Sequence, residues 1–173
     1  MHYYPEPVTY RPFFFGFGLG VGGVGIFPHD SGVSNSSRAG LGYNLRLGFG
    51  VSPRWSIVFS ADGAQAYFNN VSVSQTAWTV GPQVFLTRKL YARAGIGAAT
   101  RSYDYSDSYD PNTGYYYGGT TSDSGMATTG AIGFEFTQSY HTALALEAVG
   151  TVGYYPDKEK LSTFGINFIL NLF

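Results

Sequence analysis

A chain of 173 residues is the size of one domain, and charged residues supply 12% of it while aromatics supply 18%, with 15 Tyr and 14 Phe. That is about half the charge that clothes a soluble domain. A formal net charge of −1 gives no basic face for nucleic acid, and the lack of cysteine excludes disulfides and thiolate metal sites. Gly, Ser or Thr breaks every apolar run short of a spanning helix, which leaves spanning strands open. Met1 is followed by HYYPEPVTYRP, without the basic flank and apolar core of a signal peptide. The chain is therefore expected to be a mature exported form behind an added Met, with residues 1–11 a short Pro/Tyr tail.

The first apolar stretch, FFFGFGLGVGGVGIF, carries G-x-G-x-x-G at Gly18, Gly20 and Gly23, the spacing of a dinucleotide-binding loop. Its side chains alternate, however: Phe13, Phe15, Phe17, Leu19 and Val21 against Phe14, Gly16, Gly18, Gly20 and Gly22. Period 2 is a strand, whereas the nucleotide motif needs a helix to begin at its glycines. At Gly22-Gly23 the apolar parity slips to Val24 and Ile26, which predicts a β-bulge or bend.

The alternation recurs. In AGLGYNLRLGFG, Leu41, Tyr43, Leu45, Leu47 and Phe49 oppose Gly42, Asn44, Arg46 and Gly48, and a turn at VSPR follows. Next, Trp55, Ile57 and Phe59 oppose Ser56, Ser60 and Asp62; from Gln75 to Thr87, Trp78, Val80, Val84 and Leu86 oppose Thr79, Gly81 and Gln83. A turn at Arg88-Lys89 leads to Leu90, Ala92, Ala94 and Ile96 opposite Tyr91, Arg93, Gly95 and Gly97. After a polar stretch, residues 102–124, the rhythm resumes with Met126, Ile132, Phe134 and Phe136 opposite Thr129, Ala131 and Glu135. Leu144, Leu146 and Tyr154 then oppose Ala145, Glu147 and Thr151, and in the last segment Phe164, Ile166, Phe168, Leu170 and Leu172 oppose Gly165, Asn167 and Asn171.

This yields eight strands joined by alternating short and long connections. A soluble sandwich or lipocalin-like barrel also alternates, but two features point elsewhere. The segments run to about 10–14 residues, enough for a tilted strand to cross a bilayer. Their polar parity is largely Gly, Ala, Ser, Thr and Asn, which suits a crowded interior better than a wet exterior. The predicted fold is an all-β, closed, antiparallel up-and-down eight-stranded transmembrane barrel, with the Phe/Leu/Ile/Val parity toward lipid and the small parity filling the bore. Trp55, Trp78, Tyr43 and Tyr154 fit interfacial girdles.

Eight long strands, short turns such as SPRW and TRKL, long opposite connections and a terminal Phe173 resemble the small outer-membrane β-barrels of the OmpA/OmpX-like group. Thr163, Gly165, Phe168 and Leu170 match the C-terminal signal that such proteins present to the barrel assembly machinery, although the ending Asn-Leu-Phe puts Phe173 on the inward parity. The resemblance covers residues 12–173, with no appended peptidoglycan-binding domain. It implies a bacterial outer-membrane location amid phospholipid and lipopolysaccharide, a monomer, termini and short turns in the periplasm, and residues 28–38, 69–74, 102–124 and 156–162 outside.

Five charges fall on the inward parity: Arg46, Asp62, Arg93, Glu135 and Glu147. Charge inside a membrane needs partners, so these are expected to form a lumenal network, with Arg46 beside Asp62 across their hairpin and Arg93 reaching Glu135, Glu147 or both. A Glu135–Glu147 acid/base pair is the competing idea. His29-Asp30-Ser31 contains the residue types of a hydrolytic triad, and small outer-membrane barrels include lipid A modifying enzymes, but neighbours in sequence rarely point at one another. Residues 102–124 hold six Tyr (Tyr103, Tyr105, Tyr109, Tyr115, Tyr116 and Tyr117) and four Asp, with no basic residue. Tyr with Ser, Gly and Asn is the composition of adaptable binding surfaces. A recognition loop and a hydrated hairpin extension both fit. Asp104, Asp107, Asp110 and Asn112 offer oxygen ligands without the spacing of an EF-hand. The sequence thus predicts a plugged, non-enzymatic barrel without cofactor or metal, structural or adhesin-like, with a narrow pore or transport barrel as the alternative and an extracellular partner left unidentified.

Overall fold

The structure, a computed structural model, describes residues 10–27, 36–68, 71–109, 116–156 and 159–173, and of residues 106–109 and 116–117 the backbone alone. Eight strands follow one another: β1 (Phe13–Phe27), β2 (Ser36–Gly50), β3 (Trp55–Phe68), β4 (Val71–Phe85), β5 (Leu90–Tyr109), β6 (Tyr116–Gln138), β7 (Thr142–Tyr154) and β8 (Lys160–Leu172). Each pairs antiparallel with the next, and β1 pairs with β8, so the sheet closes into a barrel. Closure removes the unpaired edge that lipid cannot tolerate. The short connections 51–54, 86–89 and 139–141 lie at one end with Arg11 and Phe173, hereafter the turn end; the opposite end is the loop end.

The apolar parity faces outward and the polar parity inward. Leu19, Ile96 and Phe168 are 60%, 67% and 67% exposed, while Arg46, Gln75, Glu147 and Asn167 are at most 1% exposed. An apolar belt this continuous needs lipid around it. Inward glycines make room for large polar partners in a narrow bore. A Cβ on Gly16 would come within 2.6 Å of Asn171 Oδ1 and 2.8 Å of Arg46 Nε, and one on Gly133 within 2.1 Å of the Tyr91 ring.

The strands depart from the sequence expectation in several places. β1 has no bulge: its register with β2 and β8 runs unbroken through Gly22, Gly23 and Val24. Val24 is fully buried with Ala64, Ala66, Val73 and Leu161, in an apolar layer that crosses the loop half of the lumen. Gly23 faces outward beneath Phe164, whose ring a Cβ would meet at 2.3 Å. The irregularities fall instead between Tyr105 and Ser108 and between Glu135 and Thr137. Residues 36–38, 71–74 and 160–162, expected in loops, begin β2, β4 and β8. Most of 102–124 is strand: residues 102–109 continue β5 and residues 116–124 belong to β6.

Candidate functional site

The lumen is occupied in three layers, with a further cluster of charges above them toward the loop end. At its middle, Arg93 on β5 grips Asp62 on β3 with both terminal nitrogens (Nη2–Oδ1 2.6 Å, Nη1–Oδ2 2.9 Å) and reaches Glu147 on β7 at 2.8 Å. Arg46 on β2 binds the other oxygen of Glu147 at 2.6 Å and donates to Asn171 Oδ1 through Nη2 at 2.8 Å. Tyr91 donates to Glu147 at 2.8 Å, while Ser60 Oγ and Asn44 Nδ2 donate to Asp62 at 2.8 and 2.5 Å. Two cations and two carboxylates therefore neutralise one another with their lone pairs satisfied, the condition under which buried charge is tolerated.

At the turn end, Arg11 enters the bore and forms a bidentate pair with Glu135 at 2.6 and 2.7 Å. Its guanidinium lies 4.1 Å from the Phe173 ring centre and 5.2 Å from that of Phe85, within cation–π range. Gln138 Nε2 adds a bond to Glu135 at 2.7 Å. In the loop half, Val24, Val73, Ala77, Ala99, Tyr155 and Leu161 pack together as an apolar layer. Above it Arg101 pairs with Glu159 and, at 3.0 Å, with Asp123, its guanidinium 4.4 Å from the Tyr155 ring centre.

All five predicted lumenal charges are thus inside; Arg93 reaches Glu147, one of the two carboxylates expected for it, but the expected pair of Arg46 with Asp62 is not formed. Arg46 meets Glu147 across the bore, and the partner of Asp62 is Arg93. Among the described contacts Arg93 reaches Glu147 and not Glu135, whose cation is Arg11. The acid/base pairing of Glu135 with Glu147 is not formed, since each carboxylate is bound to its own arginine partners. Sequence reasoning missed Arg11, Tyr91, Arg101 and Glu159. Tyr91 and Arg101 share the inward parity of Arg93, a signal that was present; Arg11 precedes the first alternating residue and carries none.

Tyr103 is partly buried against the apolar layer and donates to Glu159 at 3.4 Å, so it is a wall residue rather than a loop tip. Tyr105 is 49% exposed. Tyr109, Tyr116 and Tyr117 lie on the hairpin strands with their side chains outside the described residues, as is the whole of Tyr115. His29, Asp30 and Ser31 also lie outside them, as do the side chains of Asp107, Asp110 and Asn112. Asp104 accepts from Thr120 Oγ1 at 2.6 Å. In the C-terminal segment, Gly165 faces inward, Phe168 outward, Leu170 is half-buried outward, and Phe173 turns beneath the bore against Arg11.

The β5–β6 hairpin rises beyond its neighbours. β7 ends at Tyr154, opposite Met126, so β6 from Tyr116 to Gly125 has β5 on one side and no strand on the other among the described residues.

No protein-family model matches the chain, and no curated protein matches its sequence. Solved structures do resemble it. Ail, the attachment invasion locus protein of Yersinia pestis, superposes with a TM-score of 0.68 at 11% identity, over 93% of this chain and 99% of that one. Its complex with the heparin analogue sucrose octasulfate gives 0.67 at the same identity and coverage. Neisserial surface protein A gives 0.58 at 9% identity, over 95% and 98% of the two chains. The fold is that of small eight-stranded outer-membrane β-barrels.

Proposed function

We propose that the protein is a non-enzymatic, monomeric outer-membrane barrel, residues 12–173, that displays the β5–β6 hairpin at the cell surface to capture a basic, extended segment of a partner protein. Both termini and the short turns face the periplasm in this reading, and Gly165, Phe168, Leu170 and Phe173 serve as its signal to the barrel assembly machinery. The free edge of β6 from Tyr116 to Gly125 is the observation that carries it. An unpaired strand edge offers a row of N–H and C=O groups to an incoming strand. Charge sets the preference: residues 28–38, 69–74, 102–124 and 156–162 hold seven carboxylates against three basic side chains. Ail was solved with a sulfated heparin analogue, but an acidic rim of this kind repels polyanions. The three filled layers of the lumen favour this anchoring role over a pore.

The test uses the full chain in nanodiscs, with an alternating Lys/Thr decapeptide and heparin as probes. The decapeptide is expected to bind and heparin to be refused. Replacing residues 102–122 by Asn-Gly keeps Arg101 and Asp123 in register, removes all but the last three residues of the free edge, and should weaken peptide binding at least tenfold while the heat-dependent gel shift of the barrel persists. Binding of heparin, or peptide binding indifferent to the shortened hairpin, overturns the proposal.

A further inference from the structure

The turn end carries a charge pattern that the lumen and the hairpin do not use. Arg54, in the β2–β3 turn, and Arg88 and Lys89, in the β4–β5 turn, are exposed. Both turns are held rigidly. Ser52 Oγ accepts from the Trp55 N–H at 3.2 Å, and Thr87 Oγ1 accepts from the N–H groups of Lys89 and Leu90 at 3.2 and 3.0 Å. The Phe85 N–H donates to the Arg54 carbonyl at 2.8 Å, which fixes the two turns side by side, and Gln138 Nε2 ties the Arg88 carbonyl to β6 at 3.0 Å. Directly beneath the cations begins the lipid-facing wall: Trp55, Ile57 and Leu86 are each half exposed, and Trp55 stands opposite Val84 in register.

We propose that Arg54, Arg88 and Lys89 form a docking surface for the headgroups of anionic phospholipids, whose acyl chains lie along Trp55, Ile57 and Val84. Cations set one layer above an apolar collar meet phosphate at the depth where lipids present it. A zwitterionic headgroup gains little there, whereas each basic side chain near a membrane surface enriches an anionic lipid about fivefold. The inference rests on the barrel's sitting in lipid, which its exposed belt requires, and is independent of what the hairpin captures.

The two tryptophans supply the readout. Trp55 is beside the cations, and Trp78 lies six residues farther along the β3–β4 ladder, opposite Ala61, about 20 Å away along the strands. The full-length Trp78→Phe variant, refolded into mixed phosphatidylcholine and phosphatidylglycerol vesicles, reports Trp55 alone; Trp55→Phe reports Trp78. Chain-brominated phosphatidylglycerol is expected to quench Trp55 as though enriched at least about fivefold over equally brominated phosphatidylcholine, with no preference at Trp78. Arg54→Gln/Arg88→Gln/Lys89→Gln should abolish the preference while the heat-dependent gel shift persists, and 0.5 M salt should weaken it in the unsubstituted turns, a measurement that stands should the triple variant fail to fold. Equal quenching of Trp55 by both lipids, or a preference untouched by salt or neutralisation, overturns the proposal.

Discussion

Arg93 holds Asp62 and Glu147 at once, and the two carboxylates depend on it unequally. Glu147 keeps Arg46 and the Tyr91 hydroxyl if Arg93 is lost, whereas Asp62 keeps only the neutral donors Asn44 and Ser60. Removing one member of a buried pair strands the other, at a cost of about 3–5 kcal/mol. Arg93→Ala should therefore lower the urea midpoint of the detergent-folded barrel and its resistance to heat, and adding Asp62→Asn should recover part of the loss. A midpoint unchanged in Arg93→Ala would remove the network from the account of stability. The membership of this network was legible in the sequence because strand parity assigns each charge a side. Its wiring was not: Arg46 and Asp62 look like partners across a hairpin, but side chains in a bore this narrow meet across it, and closure in space decides which strands face each other.

The same division applies to whole elements. Lipid enforces alternation, so the membrane part of every strand could be read directly. Toward the loop end the apolar parity gives way to polar residues and the period disappears, which is why 102–124 read as polar connection although the backbone of 102–109 and 116–124 continues the ladder. Val24 misled in the opposite way, since an apolar residue on the inward parity mimics a register slip when its true neighbours, Leu161 and Ala64, are distant in sequence. Arg11 shows a segment that gains its meaning from the far end of the chain. It precedes β1, stacks on Phe173 just beyond β8 and pairs with Glu135 on β6, so it clasps the seam where the barrel closes. Water can reach the mouth after truncation, so Arg11→Ala should cost less than the loss of Arg93, on the order of 1–3 kcal/mol. A double-mutant cycle with Glu135→Gln, read by urea unfolding in detergent, should return a coupling above about 0.5 kcal/mol; additive effects would show that the clasp contributes nothing as a pair.

At the scale of the molecule, the three lumenal layers act in series, two of them by charge pairing and one by apolar packing. The Arg11–Glu135 clasp and the Arg46–Glu147–Arg93–Asp62 layer hold ions off by occupying the space and by mutual neutrality. The layer of Val24, Val73, Tyr155 and Leu161 disfavours them because its mainly apolar side chains, with the Tyr155 hydroxyl already bonded to Gln75, replace little of an ion's hydration. Closures in series fail only together, so a defect in one leaves the resistance of the others. The intact chain in planar bilayers is accordingly expected to be silent, and Arg11→Ala and Arg46→Ala, each tested alone, to be silent as well even where they lower stability. Steady single-channel openings from either variant would mean that one layer alone seals the barrel, and that the apolar half of the bore is wide enough to wet.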